Sequence, residues 1–218
     1  MGKSQQKTET LLHFLAQETY SDYHNIQLVL GYKNKSTPYR LLKKLLTEKK
    51  IQKHDYQNKY TLYGLTALGI KSSKIPNTAK TFRVSQLKNR NIEKHLLLQQ
   101  VKHAFPIGNW VTIKTTEWRK EHSSLKKPTQ IIETIEGKIA LEIENNIPKR
   151  RGLKRKFEQM KEWEESGLFK SILYITSSDK MNHVLKMYLR KDKIEKLNSM
   201  HIESIEPLER LNQEYKEA

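Results

Sequence analysis

Hydrophobic positions along this chain follow two regimes. Up to about residue 70 they recur every three or four residues, the helical period; beyond about residue 87 helical stretches alternate with short strand-like runs. Leu11, Leu12, Phe14 and Leu15 form one face of a first helix, with Thr8 or Thr10 able to cap it. Ser21 and Asp22 offer side-chain acceptors to the free amides of a second helix. It carries Ile26, Val29 and Leu30 and stops at Gly31. A third helix is expected from Ser36, as N-cap, and Pro38, in the first turn, to about residue 49. Its buried stripe is Leu41, Leu42, Leu45 and Leu46. Two short strands, 51–53 and 59–63, flank a polar turn at 54–58, and a short helix over 65–69 closes at Gly69.

Residues 71–86 are rich in Lys, Ser, Thr and Asn with no sustained period, and read as a linker. Next comes a helical pattern over 87–105, with Ile92, Leu96, Val101 and Phe105 on one side, ended by Pro106 and Gly108. Trp110, Val111 and Ile113 mark a strand, and Glu117-Trp118 opens a short segment. The clearest hairpin joins 128–135 to 138–144 through Glu136-Gly137. A basic cluster at 149–156 leads into a helix that runs to about Ser166 and breaks at Gly167. The apolar run 171–176 reads as a strand buried in the middle of a sheet. Ser177-Ser178-Asp179 caps a helix bearing Val184, Leu185, Tyr188 and Leu189. The charged tail from residue 191 leaves room for a strand around Ile202 and Ile205 and a helix from Pro207. The order α-β-β-β-α-β-α describes an α/β sandwich, so the whole chain is α+β or α/β with a helical first module.

Charge sharpens this outline. The chain has 218 residues, with 41 Lys and Arg against 24 Asp and Glu, a formal charge of +17. That balance points to a polyanionic partner. No apolar run approaches the ~18 residues of a spanning helix, so no membrane role is expected. Cysteine is absent, which excludes disulfides, thiol catalysis and Cys-based zinc sites. The first eight residues are polar and lack a secretory apolar stretch, so a cytoplasmic location is expected. The eight histidines show no zinc-ligand spacing, and there is neither a Gly-rich phosphate loop nor a nucleophile elbow.

Tyr39, Arg40, Lys43 and Lys44 lie opposite the leucine stripe of the third helix, with Lys35, Ser36 and Thr37 at its start. Lys53, His54 and Lys59 sit on or beside the hairpin. Three helices followed by a basic hairpin resemble the winged helix-turn-helix. That resemblance implies DNA binding: a recognition helix in the major groove and a wing against the backbone or minor groove. The domains expected are therefore a winged helix over 1–70, the linker 71–86 and the α/β module 87–218.

The second module resembles the PD-(D/E)XK nuclease-like fold, in which an acid opens the first strand of a hairpin, an acid-x-lysine closes the second, and the two acids hold Mg²⁺ at a scissile phosphate. Glu142 and Glu144 occupy the second-strand positions and, two apart on a strand, face the same way. The chain departs from the pattern where Thr129 replaces the acid after Pro128, and where Glu144 stands in place of the lysine; Lys156 is the lysine on offer. Together the two modules resemble the replication-relaxation family, which includes MobC-type plasmid mobilisation proteins. The matching residues are the leucine-rich third helix, the segment 63–69, His95-Leu96-Leu97-Leu98, Pro128-Thr129, Glu142-x-Glu144, Arg150-Arg151 and Lys156. The resemblance implies a relaxosome accessory factor in conjugation, binding double-stranded DNA near a transfer origin beside a relaxase or coupling protein. The basic run 149–156 would serve to grip the DNA backbone or an acidic partner surface, with Arg150, Arg151 and Arg155 as the expected DNA contacts. Two other functions are compatible with the same residues. One is a metal-dependent relaxase or endonuclease using Glu142, Glu144, Lys156 and Mg²⁺ or Mn²⁺, against which Thr129 argues. The other is a transcriptional repressor whose second module makes a homodimer.

Overall fold

The structure is a computed structural model describing residues 3–32, 36–73, 75, 79–87, 91–106, 108–146, 149–191 and 200–204. It is a mixed α+β chain with two sheets, and it divides into two compact units, 1–103 and 104–218.

The first unit opens with α1 (Lys3–Glu18), β1 (Tyr20–Asp22), α2 (Tyr23–Val29) and α3 (Ser36–Thr47). The hairpin β2 (Ile51–Tyr56) and β3 (Tyr60–Leu65) follows, then α4 (Ala67–Lys71), a 3₁₀ turn at Val84–Leu87 and α5 (Ile92–Ala104). The first helix starts earlier than its expected cap. Thr8 and Thr10 lie inside it, each hydroxyl donating back one turn, to the carbonyls of Ser4 and Gln6 at 3.0 Å. Asp22 does cap α2, accepting from the Asn25 amide at 2.9 Å. Ser21 instead belongs to β1, a strand too short to show a period, which pairs with β3. The hairpin is longer than expected because residues 54–56 continue β2; Gln57 and Asn58, both with positive φ, make the tight turn. Thr66 caps α4, and that helix passes through Gly69, where a Cβ would fall 2.0 Å from the Lys50 carbonyl oxygen.

The β1-β3-β2 sheet is covered on both faces. On one side Ile51, Tyr63 and Leu65 pack with Leu11, Leu15, Ile26, Leu42 and Leu45 from the helices. On the other, Tyr20 and Leu62 pack with Phe82, Leu87, Ile92 and Leu96. This corrects two expectations. Within the expected linker 71–86, Phe82 packs on the first unit: it donates its amide to the Leu65 carbonyl at 2.9 Å and crosses β3 at Gly64, where a Cβ would lie 2.4 Å from the Phe82 Cβ. Helix α5, expected to open the second module, is part of the first. Gln99 is buried and accepts from Ser21 Oγ at 2.6 Å while donating to the Tyr20 carbonyl at 2.7 Å. Asn25 donates to the Leu96 carbonyl at 3.0 Å, and Lys102 pairs with Glu18 at 2.8 Å. A helix supplying buried amides to β1 and α2 cannot leave without stranding them.

The second unit runs β4 (Asn109–Val111), α6 (Thr115–Glu121), β5 (Gln130–Thr134), β6 (Gly137–Glu144), α7 (Arg150–Glu165), β7 (Ser171–Thr176), α8 (Asp179–Lys191) and β8 (Met200–Ser204). The strands lie side by side in sequence order, antiparallel through β6 and parallel from β6 to β8. Ile131, Ala140, Ile172 and Tyr174 share a core with Leu153, Phe157, Met160 and Trp163 of α7, Leu185 of α8 and Trp118 of α6. The side chains of Tyr188 and Leu189, and everything from residue 205 on, including Ile205 and a helix at Pro207, lie outside the described residues. Among the described residues no helix is long and apolar enough to cross a membrane.

Candidate nucleic-acid interface

Helix α3 divides cleanly by face. Leu42 and Leu45 are buried in the helical core, with Leu41 and Leu46 packed beside them. Tyr39, 60% exposed, and exposed Arg40, Lys43 and Lys44 look the other way. Lys44 reaches Glu48 at 3.8 Å, an exposed i,i+4 pair of little energy that any stronger anion would replace. Arg40 and Lys43 have no carboxylate partner among the described residues. Lys35, and the side chains of Ser36 and Thr37, lie outside the described residues; the backbone of Ser36 and Thr37 forms the first turn of α3.

Strand register separates the three residues expected on the wing. Lys53 stands opposite Tyr63, whose ring packs with the helices, and it is exposed. His54 stands opposite Leu62, whose side chain faces Phe82 and α5, so it points to the other side of the sheet and is half-buried. Lys59, after the turn, is paired with Glu93 of α5, and the Tyr60 hydroxyl also approaches that carboxylate at 3.4 Å. Of the three, Lys53 alone shares the helix side and carries no carboxylate partner among the described residues. Periodicity alone would have placed Lys53 and His54 on opposite faces, had the strand been drawn to its full length.

In the second unit, β6 brings Glu142 and Glu144 to the face covered by α7, with Tyr174 of β7 level with Glu142. Glu142, 8% exposed, accepts the backbone amide of Thr129 at 3.1 Å and its hydroxyl at 2.9 Å. Lys156 turns inward and forms an ion pair with Glu144, and the Tyr174 hydroxyl donates to the same carboxylate at 3.4 Å. Burial, and then the charges of Glu144 and Glu142, push the Tyr174 phenol far above its ordinary range, so it stays a neutral donor. A second acid at position 129 would repel Glu142 unless a cation stood between them; threonine donates two hydrogen bonds instead. The donor set is incomplete for a two-acid ion site, since Thr129 supplies a neutral hydroxyl where the first acid would stand, and Lys156 brings a cation onto Glu144. Among the described residues no three His, Cys, Asp or Glu side chains come together as a metal cage.

The basic run at the start of α7 also splits. Leu153, Phe157 and Met160 face the core and Lys156 is spent on Glu144, whereas Arg150, Arg151, Lys154 and Arg155 are exposed. In α7 every cation but Lys161 precedes Phe157 and every acid follows it. That order opposes the helix dipole, and cations in the first turn cost about 0.3–1 kcal/mol each at an exposed site. No family model, curated protein or solved structure matches the chain.

Proposed function

We propose that the first unit is a winged helix-turn-helix that binds duplex DNA, with α3 in the major groove and Lys53 on the wing against a phosphate. The observation that carries this is the division of α3. One face is buried in the helical core, and the other presents Tyr39, Arg40, Lys43 and Lys44 to solvent on the side where Lys53 also lies. Arg40 stands nearer the N-terminus, as a base-reading side chain would, and Lys43 a turn further along suits the backbone. The covering of the sheet's other face by Phe82, Leu87, Ile92 and Leu96 leaves the α3 side as the available surface.

The strand order and parallel crossover of the second unit support a nuclease-like fold, and the pairing of Glu142 with Thr129 and Glu144 with Lys156 supports its use without cleavage. On this reading the chain is an accessory DNA-binding protein of plasmid or mobile-element transfer. The transfer origin, and a relaxase or coupling protein as partner, rest on the family resemblance alone. The test is selection of bound fragments from mixed random and plasmid duplexes, followed by titration over salt. Log K should fall against log salt with a slope of about −0.9 for each neutralised phosphate. A flat response would remove the nucleic-acid reading.

A further inference from the structure

The exposed cations of α7 are poorly explained by the stability of the unit that carries them. Arg150 and Arg151 stand in the first turn, where the dipole disfavours cations and where no acid is present; Lys154 and Arg155 follow in the next turn, and the acids begin only at Glu158. Lys154 has only a loose pair with Glu158, at 4.0 Å, in the less favourable Lys-to-Glu direction. Arg151 and Arg155, one turn apart on the same line, have no carboxylate partner among the described residues. Lys156, from the same run, shows the contrast: an acid is within reach on β6 and the side chain takes it. Arg151 and Arg155 are therefore charges without a carboxylate partner among the described residues, with Lys154 between them only loosely paired.

We infer that this row, Arg151, Lys154 and Arg155, is a second nucleic-acid contact that binds duplex phosphates without reading sequence. It rests on the nucleic-acid reading of the first unit and adds to it. A guanidinium suits this task because its planar fork grips two phosphate oxygens at once. Arg151 and Arg155, four residues apart, rise about 6 Å along the helix, just under two axial phosphate steps of about 3.4 Å per strand. The row carries no aromatic among its outward positions, and the one amide on its line, Gln159, is half-buried. Anions laid on it would also relieve the dipole repulsion, so binding and helix stability work in one direction.

The experiment uses the full chain. Arg151→Ala with Arg155→Ala is compared with Arg119→Ala plus Lys120→Ala, an equal loss of charge from exposed positions on α6. Binding to random and selected duplexes is titrated from low to physiological salt, with thermal unfolding measured alongside. The α7 pair should reduce the salt slope by about 1.8 on both duplexes, a loss of about 60-fold at 0.1 M salt. Its Tm should hold or rise, because repulsion at the helix start has been removed. The α6 pair should lose less than about threefold. Equal losses in both pairs would mean a general field in place of a site and would overturn the inference. A loss below about threefold for the α7 pair would overturn it too, and would turn attention to an acidic protein surface. If Arg40→Ala still abolishes sequence preference in that case, the first-unit reading stands alone. If the unaltered chain binds no duplex, both readings fall together.

Discussion

Helices α3 and α7 carry basic runs of similar density, yet the fold uses them differently. On α3 the cations Arg40, Lys43 and Lys44 all face outward, opposite a buried face of leucines packed in the helical core. On α7 one lysine turns inward, because β6 brings Glu144 within reach of Lys156. The same contrast holds on the wing, where Lys53 stays outward and Lys59 is taken by Glu93. Charge density along a sequence thus overstates an interface. The cations most available to a ligand are those with no carboxylate partner among the described residues, such as Arg40, Lys43, Lys53, Arg151 and Arg155, or with only an exposed and loose one, such as Lys44 and Lys154.

The comparison can be broken most forcefully from inside α3. Leu45→Ala empties a fully buried position and should lower stability by about 2–5 kcal/mol in urea unfolding, with duplex binding retained where the protein is still folded. A loss of binding in the folded fraction would mean that the two faces of α3 are not independent.

Next in size is the inward pair of α7. Lys156→Met leaves Glu144 partly buried with the Tyr174 hydroxyl but no cation, and should cost about 1–3 kcal/mol, reduced from a fully buried pair by its partial exposure. Adding Glu144→Gln should recover much of that loss, and a double-mutant cycle showing no coupling would mean the pair is not formed in solution.

Arg40→Ala and Lys43→Ala should cost similar stability, near zero, and differ in binding. Arg40→Ala should lose ~1–3 kcal/mol on the preferred duplex with little change on random duplex. Lys43→Ala should weaken both alike. Equal losses on the two duplexes for Arg40→Ala would refute the base-reading assignment. Smaller still is the wing: Lys53→Ala should reduce the salt slope by about 0.9, and His54→Ala should leave it unchanged. A fall with His54→Ala would place that histidine on the α3 side, against the β2-β3 register.

The last effect is confined to alkaline solution. The phenols of Tyr174 and Tyr63 are pushed up mainly by burial, so the folded chain holds their protons above pH 10, where the unfolded chain releases them. Their contribution is complete below the ordinary value of 10.0 and is lost as pH rises through the raised folded values. Stability should therefore fall above about pH 10, and less steeply in Tyr174→Phe, read by urea unfolding across that range.

The sequence by itself determined what neighbouring residues can decide. The leucine stripe of α3, the Asp22 cap, the two hairpins, the central β7 strand and the break at Gly167 all follow from period, capping and turn chemistry over a few residues. The outward face of α3 came with the stripe, since one face of a helix defines the other. Tertiary structure decided the partners. Gln99 meets Ser21 across 78 residues, Phe82 crosses β3 at Gly64, Lys59 finds Glu93 and Thr129 closes on Glu142. These contacts placed α5 and Phe82 in the first unit, gave Lys59 and Lys156 carboxylate partners and gave both strand carboxylates donors from the chain. None of them repeats along the chain, so no period records them. For Gln99, Phe82 and Glu142 the strength of the contact comes from burial, which only the packed elements create.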